Sequence, residues 1–534
     1  MTRSPASSPS GHRRRHARCV AFTLVSALLV ACSATDRAAP RIVERSPAPG
    51  SDDVWIGAPI TVRFSAHIDP ESSDGVALAT EHGSPVDVSW AWSSDGMTLI
   101  GQVVGRPPVP ATLTLDLPAS LAGRNGVTVV APDEPHTWTV PPWHTIGEPI
   151  RSPFSGSLQH PAVAAGANGA ILVAAYEHRD DATVVSAARW DAAAGSWTFL
   201  GDVVGTIEPV NAREPSAAFD ASGAPVVSRR EHVEERRDVV VARWSDDDSA
   251  WSELGGPVVV TFPSNPESYA VLEARLVLDP FGTLTLVSAI DEGDEGPTAL
   301  HTYDATADTW LWQPLGFSVG AGFARVPALA FQGDGRPVVA HAQNVSSADN
   351  PVFVGTRAVG ATTWTVLGPG SLTTPGWSAR PTVDVVVAHD GTITVAWIEG
   401  AGSTNPNTLR LARFDAIANA WTTVPAPDAA GQSVVRALDP VRLAVDAAGR
   451  VVIAWSADFV TPSDEENRRW THVHRLAPDG SGWEQLGPPL HVPSVAPNAS
   501  RPALALDAAG APIVAFQATP GVEVPVMVRR WNGP

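Results

Sequence analysis

The sequence predicts an all-β protein in which a small β-sandwich precedes a seven-bladed β-propeller. From residue 41 onward, short stretches alternate between apolar and polar residues, turn residues separate them, and no helical period appears. From residue 143 onward a four-strand unit recurs, and a sequence period of this size is typical of propellers or solenoids. The third observation is a half-unit at each end of the repeats, which predicts that the array closes into a ring.

Length and composition place the chain among folded, multidomain proteins. It has 534 residues, of which 44% are hydrophobic and 17% charged, so a disordered chain is excluded. The formal net charge is −20, and no basic cluster of the kind that binds nucleic acid appears after residue 31. We therefore expect no nucleic-acid partner.

The first 31 residues have the pattern of a secretory signal peptide. Several Arg precede the apolar run Val20–Ala31, which is too short to span a bilayer. The run ends in Leu29-Val30-Ala31-Cys32, which resembles the bacterial lipobox. The resemblance implies that Cys32 receives the lipid and becomes the new N-terminus. We therefore expect an exported protein, anchored to the outer membrane or cell surface, with residues 32–40 as a short tether.

Residues 41–142 predict the β-sandwich. Alternating stretches occur at Ile60–Phe64, Val86–Trp90 and Ala111–Leu117, with turn residues between them. The stretch Ser46-Pro47-Ala48-Pro49-Gly50, followed by ITVRFSAHIDPES from Ile60, resembles the bacterial Ig-like domains of surface proteins. That resemblance implies a spacer or stalk and supplies no catalytic residue.

Residues 143–534 contain three recurring units. The first is Trp-x-x-Leu-Gly or a near match, and its Trp residues are Trp143, Trp197, Trp251, Trp312, Trp364, Trp421 and Trp483. The second is a strand, an Asp-x-x-Gly turn and another strand, clearest in RPALALDAAGAPIVAF from Arg501. The third is a strand ending in Arg and an aromatic residue, as at Arg189-Trp190 and Arg530-Trp531. Four strands repeated radially make propeller blades.

The two ends of the repeat region complement each other. The chain begins this region with a WxxLG strand at Trp143 and stops at Trp531 without one. We therefore predict that the strand beside Trp143 completes the last sheet. The repeated Trp residues, with Trp190 and Trp244, are interpreted as packing residues, and the Asp of Asp-x-x-Gly as a turn former.

A binding face is predicted where the variable loops meet the starts of the inner strands. The loops are exemplified by 202–214, 256–273, 291–297, 456–470 and 488–500. Arginines, carboxylates and aromatic residues at this face suit a sugar or an acidic ligand. The candidates are His160, Tyr176, Arg213, Glu214, Glu273, Arg325, Trp377, Arg380, Trp397, Asp439, Trp455, Arg501 and Phe516. The alternative is that Trp397, Trp455 and Phe516 fill gaps between blades while the Arg residues form surface ion pairs.

Other chemistry is weakly indicated. His472-x-His474 puts two imidazoles on one strand face, which we interpret as solvated surface rather than as a metal site. The acidic runs 246–248 and 291–295 are interpreted as solvated loops, with calcium the unsupported alternative. No P-loop, nucleophile elbow or dinucleotide fingerprint occurs, so no catalytic residue, resident metal or cofactor is assigned.

Two functions remain open from the sequence. The first is a non-catalytic binding or scaffold module whose ligand is a glycan or an envelope protein. The second is a propeller glycosidase or lyase, since Arg380-Pro381 and Arg501-Pro502 resemble the Arg-x-Pro segment of sialidases. The repeats lack the Ser-x-Asp-x-Gly-x-Thr-Trp boxes of that family, which favours the first.

Overall fold

A computed structural model shows a chain built almost wholly of antiparallel β-sheets. It describes residues 38–154, 156–179, 182–204, 211–233, 236–258, 270–291, 298–315, 323–344, 350–401, 407–428, 434–459, 468–491, 498–519 and 524–534. Cys32 and the signal segment lie outside these ranges. No helix in the described ranges is long and apolar enough to cross a bilayer.

The chain divides into two compact units. The first extends to Gly105 and resumes over Ala111–Thr139, and the second comprises Arg106–Pro110 and Val140–Pro534. Arg106 belongs with the second unit, where its Nη1 donates a hydrogen bond to the Gly533 carbonyl at 3.1 Å.

The first unit consists of two four-stranded sheets, ordered β1-β2-β6-β5 and β4-β3-β7-β8. Their strands are β1 Ile42–Ser46, β2 Ile60–Phe64, β3 Ala77–Thr80, β4 Pro85–Val86, β5 Val88–Trp92, β6 Thr98–Val103, β7 Ala111–Asp116 and β8 His136–Val140. A 3-10 helix occupies Pro70–Ser73. Alternate residues of β2 and β7 are buried, so each sheet has one apolar face, as the alternation predicts.

One strand expected in this unit is divided. The sequence pattern predicts a single strand over Val86–Trp90, but β4 ends at Val86 and β5 begins at Val88. The two pieces belong to different sheets, and the Asp87 carbonyl between them accepts a hydrogen bond from the Val104 amide. Alternation continues through Asp87 because both sheets bury one face, so the sequence pattern alone conceals the crossing.

In the described residues of the second unit, seven groups of four antiparallel strands follow one another; we call them blades 1 to 7. Blade 1 consists of β10 Gln159–Ala165, β11 Ile171–Arg179, β12 Ala182–Asp191 and β13 Ser196–Phe199. Blade 2 consists of β14 Arg213–Phe219, β15 Pro225–Val233, β16 Arg236–Ser245 and β17 Ala250–Glu253. Blade 3 consists of β18 Ala270–Leu278, β19 Leu284–Asp291, β20 Thr298–Asp304 and β21 Thr309–Pro314. Blades 2 and 3 are also joined by one parallel pair, Arg237 with Ala270.

Blades 4 to 7 continue the series. Blade 4 consists of β22 Phe323–Phe331, β23 Pro337–Asn344, β24 Val352–Thr356 and β25 Thr365–Val366, and blade 5 of β26 Ser378–Val387, β27 Ile393–Gly400, β28 Thr408–Asp415 and β29 Ala420–Val424. Blade 6 consists of β30 Val434–Val445, β31 Val451–Phe459, β32 Arg468–Leu476 and β33 Trp483–Gln485. Blade 7 consists of β34 Asn498–Leu506, β35 Pro512–Thr519 and β36 Val526–Trp531 with β9 Trp143–Thr145.

The blades form a closed ring. Each inner strand contacts the inner strand of the next blade, and β10 of blade 1 contacts β34 of blade 7. Blade 7 is completed by β9, which pairs with β36 so that Trp143 lies opposite Trp531. The predicted strand exchange is therefore confirmed, and the second unit is a β-propeller.

The repeated Trp residues connect neighbouring blades at the outer strands. In six blades the indole N–H donates to a main-chain carbonyl of the preceding blade's outer segment at 2.6–2.9 Å, which we call the indole bond. The donors are Trp143, Trp197, Trp251, Trp310, Trp421 and Trp483, and the acceptors are Leu486, Ile146, Leu200, Leu254, Leu367 and Pro425. The interpretation as packing residues is confirmed for the five of these donors that the motif identified: Trp143, Trp197, Trp251, Trp421 and Trp483.

Blade 3 corrects one assignment. The sequence motif points to Trp312, yet the indole bond is made by Trp310, whose ring lies beside Tyr303 at 5.2 Å between centroids. The strand β21 is six residues long and pairs Tyr303 with Trp310, so the packing position comes two residues before the motif. Trp312 instead packs against Ile290 and Ala299.

The Asp-x-x-Gly residues form turns as predicted. In blade 7 the Asp507 carboxylate accepts from the amides of Ala509 and Ala511 at 2.9 and 2.7 Å. The Arg of the Arg-aromatic unit then pairs with this carboxylate, as Arg530 Nε does at 2.9 Å. One Asp therefore holds both its own turn and the third strand of its blade.

Candidate functional site

A cavity of about 720 Å³ lies where the inner strands of all seven described blades converge. Its wall mixes Ala, Val, Leu and Pro side chains with a few charged ones. A volume of this size suits a small molecule or one end of a larger ligand.

A β-bulge in each inner strand positions the polar residues of this cavity. The pairing register of β10, β14, β18, β22, β26, β30 and β34 shifts close to the strand's start. At three of these bulges the residue has a positive φ and precedes a Pro: His160 (48°), Glu214 (54°) and Arg501 (53°). A bulge redirects a side chain, and all three residues line the cavity. Left-handed backbone is costly for non-glycine residues and is concentrated at functional sites.

A second set of charged residues lies further along the inner strands, beyond the bulges. Arg275, Asp384 and Arg442 each lie opposite the fourth residue of the second strand of their blade, so they occupy equivalent positions. Arg275 Nη1 contacts Asp384 Oδ1 at 2.6 Å, although blade 4 lies between their strands. This ion pair therefore joins two inner strands that are not neighbours in the ring.

Asp384 is well satisfied. Beyond Arg275, its carboxylate accepts from the Leu443 amide at 2.8 Å and from the Val385 amide at 3.1 Å. A carboxylate with three such donors is held in a fixed position.

Glu214 is bound from one side only. Arg230 Nη2 lies 3.0 Å from Glu214 Oε1. Burial raises the pKa of Glu214, while Arg230, Arg213 and Arg237 act to lower it. Its second oxygen, Oε2, is buried and has no hydrogen-bond partner among the described residues.

His160 and Tyr176 form a ring pair at the bulge of blade 1. Their ring centroids are 5.1 Å apart, and the Tyr176 hydroxyl donates to Gln159 Oε1 at 3.1 Å. Burial, reinforced by Arg501, Arg442 and Arg213, lowers the pKa of His160 to about 3. His160 is therefore neutral at physiological pH, and burial raises the pKa of Tyr176.

Arg501 and Arg275 also carry unused donors. Nη1 of Arg501 and Nη2 of Arg275 are buried and lack a hydrogen-bond partner within the described ranges. Together with Glu214 Oε2, the cavity thus offers unsatisfied donors and an acceptor. Buried polar atoms without partners are uncommon and costly, which indicates that a ligand or solvent completes the site.

The structure distributes the other predicted site residues as follows. Arg213 is exposed beside the bulge of blade 2, whereas Arg380 is bound to Asn407 Oδ1 at 2.7 Å. Trp377 lies under the Arg410 guanidinium at 5.5 Å. The backbones of Glu273, Arg325 and Asp439 lie near the bulges of their inner strands, but their side chains are outside the described part.

The aromatic residues at the ends of the second strands do not line the cavity. Trp397, Trp455 and Phe516 are almost fully buried in the apolar clusters between blades. They occupy these clusters because their strands are covered by neighbouring blades on both faces. Their positions therefore agree with the alternative interpretation of the sequence, in which these three residues fill gaps between blades.

The pair His472 and His474 is also buried, with 0% and 2% exposure, so the interpretation as solvated surface was wrong. The third strand is covered on both faces, and alternation there does not separate solvent from core. Within the described residues, no group of three or more His, Cys, Asp or Glu side chains is arranged to hold a metal ion. The predicted variable loops fall largely outside those ranges.

Sequence reasoning missed Arg275, Asp384 and Arg442. Each stands within an apolar inner strand, where the other blades have Ala or Ser at the same register position. A charged residue at a position that is small in four other repeats is a signal that an alignment of the blades by register reveals.

Comparison with known proteins shows similarity at the level of architecture only. No protein-family profile matches the sequence, and no curated protein matches it. Among solved structures, an ulvan lyase is 13% identical, covering 72% of this chain and 94% of its own, with a TM-score of 0.48. A Hadza microbial sialidase is 12% identical, with 92% and 99% coverage and a TM-score of 0.43. The α-L-arabinanase of Penicillium chrysogenum is 15% identical, with 62% and 98% coverage and a TM-score of 0.40.

Proposed function

We propose that this chain is a surface-anchored lipoprotein whose propeller binds a saccharide at the bulged end of its channel. The observation that carries the proposal is the convergence of His160, Glu214 and Arg501 on one cavity through left-handed bulges. Their unsatisfied atoms include a donor on Arg501 and an acceptor on Glu214. A sugar hydroxyl both donates and accepts, so a hydroxyl-rich ligand matches this combination.

We further propose that the first unit is an Ig-like stalk. Its strands, lettered A, B, C, C′, D, E, F and G in chain order, form the sheets A-B-E-D and C′-C-F-G. That order agrees with the Ig arrangement, in which ABED faces a sheet built on CFG. The sequence resemblance around Ser46–Gly50 supports the same assignment.

The anchor is proposed from the sequence alone. The apolar run that ends at Cys32 fits a lipoprotein signal, and acyl chains on Cys32 would hold the mature chain at a membrane. Replacing Cys32 with Ala is expected to release the protein into the soluble fraction after cell fractionation. A Cys32→Ala variant that stays with the membranes would exclude lipidation at this residue.

A second candidate function is cleavage of the bound glycan. Neutral His160 lines the cavity and can accept a hydrogen bond from a bound sugar, but a pKa of about 3 makes it a weak general base, so cleavage is the less favoured candidate. Hydrolysis by a carboxylate pair is disfavoured among the described lining residues. Asp384 and Glu214 are ion-paired, and the third carboxylate, Asp279, accepts from two amides of its own turn.

The binding proposal is tested with the full chain purified in detergent. We expect a glycan array to show selective binding, and Arg501→Gln to weaken it while the thermal unfolding midpoint is unchanged. Incubation of the bound glycans with the protein, followed by chromatography, separates binding from cleavage. If an envelope protein but no saccharide binds, the propeller has a protein ligand and this proposal fails.

A further inference from the structure

We infer that the saccharide is acidic and that its oxyanion, a carboxylate or a sulfate ester, is bound between Arg501 and Arg213. This inference rests on the proposed function and names the chemical class of its ligand. Arg501 belongs to blade 7 and Arg213 to blade 2, so the two flank the His160–Tyr176 ring pair of blade 1.

The charge of this end of the channel is opposite to that of the chain. The whole chain carries a formal −20, whereas the described lining of the cavity has three guanidiniums, Arg275, Arg442 and Arg501, and three carboxylates, Glu214, Asp279 and Asp384. Asp279 follows the last residue of β18, at the opposite end of that strand from its bulge. Arg213 and Arg230 stand beside Glu214, so positive charge predominates at the bulged end. A basic pocket in an acidic protein attracts an anion and orients it on approach.

Neither Glu214 nor Asp384 neutralises Arg501. Glu214 is paired with Arg230, and Asp384 with Arg275. Arg501 retains a buried donor, Nη1, without a hydrogen-bond partner in the described residues. Since a buried guanidinium is costly unless its donors are satisfied, an oxyanion is the ligand group that best completes it.

The surroundings of the ring pair show that Arg501 and Arg213 act on the same space. Both lower the pKa of His160, and both act to lower the pKa of Tyr176. The strand β10, which carries His160, contacts both β34, which carries Arg501, and β14, which begins at Arg213. An anion at this point is attracted to both, while neutral His160, which lines the cavity, contacts uncharged parts of the sugar.

The ion pair between Arg275 and Asp384 limits how the ligand enters. It lies one register level beyond the bulges and joins blades 3 and 5 across the face of blade 4, which narrows the cavity at that level. We therefore expect the site to take a chain end or a single acidic residue, which agrees with the cavity of about 720 Å³.

The test compares three oligosaccharides of equal length by titration calorimetry with the full chain in detergent: a uronate, its carboxyl-reduced neutral counterpart and a sulfated form. We expect at least one acidic form to bind about 10-fold or more tightly than the neutral one, as charge-assisted hydrogen bonds require. The two acidic arms distinguish a carboxylate from a sulfate.

Two variants locate the anion. Arg501→Gln and Arg213→Gln are each expected to weaken acidic binding about 10-fold and neutral binding less than about 2-fold. Arg213 is exposed, so its replacement leaves the fold intact. The matched control is Arg336→Gln, because Arg336 is half-exposed and pairs with Asp334 within the turn between β22 and β23.

The outcomes separate the two proposals. Equal binding of the acidic and neutral forms overturns the acidic class but leaves the saccharide function standing. Unchanged acidic binding in both Arg variants overturns the assigned position of the anion. Absence of binding by every saccharide overturns the proposed function and this inference together.

Discussion

The outer strands of the propeller and the starts of its inner strands are built on opposite principles. At the outer strands, six blades repeat one arrangement, an indole N–H bonded to a carbonyl of the preceding blade. At the inner bulges every blade shares a register shift, but the residue there differs: His160, Glu214 and Arg501 in three of them. Repetition therefore identifies the scaffold, and deviation at a shared geometry identifies the site.

The Gly of the WxxLG unit belongs to the scaffold side of this comparison. In five blades it has a φ between 64° and 79°, and a Cβ added there would meet a Trp of the next blade. These residues are Gly147, Gly201, Gly255, Gly368 and Gly487. The motif is thus an interface motif, in which Trp packs against the Gly of its neighbour.

The largest expected effect distinguishes the two tryptophans of blade 3. Trp310→Ala removes a buried ring and its bond to the Leu254 carbonyl, so we expect about 3–5 kcal/mol of lost unfolding free energy. Trp312→Ala removes a half-buried ring and is expected to cost about 1–2 kcal/mol. Urea denaturation of both variants measures the difference. A larger loss of unfolding free energy for Trp312→Ala would show that Trp312 is the packing residue of blade 3, as the sequence motif predicts.

The next effect tests the Gly interface. Gly368→Ala combines a positive φ with a Cβ only 2.5 Å from the Trp421 ring, and we expect a loss of about 2–4 kcal/mol. Gly391→Ala is the matched control, since its φ is also positive but nothing lies within 4 Å of the added Cβ. The control is expected to cost about 1 kcal/mol. Similar losses in thermal unfolding for both variants would mean that backbone strain alone explains this Gly.

Much of the scaffold followed from the sequence because its determinants are local and repeated. The Asp-x-x-Gly turns, the strand exchange between Trp143 and Trp531, and the packing role of the repeated Trp residues outside blade 3 were predicted correctly. The exceptions were places where burial on both faces removes the contrast between solvent and core. That is why His472 and His474 were placed on the surface, although both are buried.

The site was only partly predictable. Sequence order placed His160 and Arg501 at inner-strand starts, and the structure brings both to the cavity. It did not reveal Arg275 and Asp384, because their ion pair spans two blades that are not neighbours. Such a contact depends on ring closure, which no local pattern encodes. Trp397 and Trp455 were candidates by position, but their burial is decided by the adjacent blade.

The smallest effect per residue concerns the buried histidines of the scaffold. Burial lowers the pKa values of His301 and His472 to about 3 and of His341 and His474 to about 4, against an ordinary 6.5. The unfolded chain therefore binds more protons than the folded chain between about pH 6.5 and these lower values. Stability is independent of these groups above pH 6.5 and falls as the pH decreases below it.

Each such histidine contributes at most about 1.4 kcal/mol per pH unit to that decrease. Urea unfolding at pH 7, 6 and 5 measures the slope, and His301→Gln is expected to reduce it by up to one histidine's share, since His301 is fully buried and bonded to Ser288 Oγ at 2.8 Å. The control is His82→Gln, because His82 is exposed in the first unit. A slope unchanged by the His301 substitution would show that His301 is not the titrating group, and that other residues govern acid unfolding.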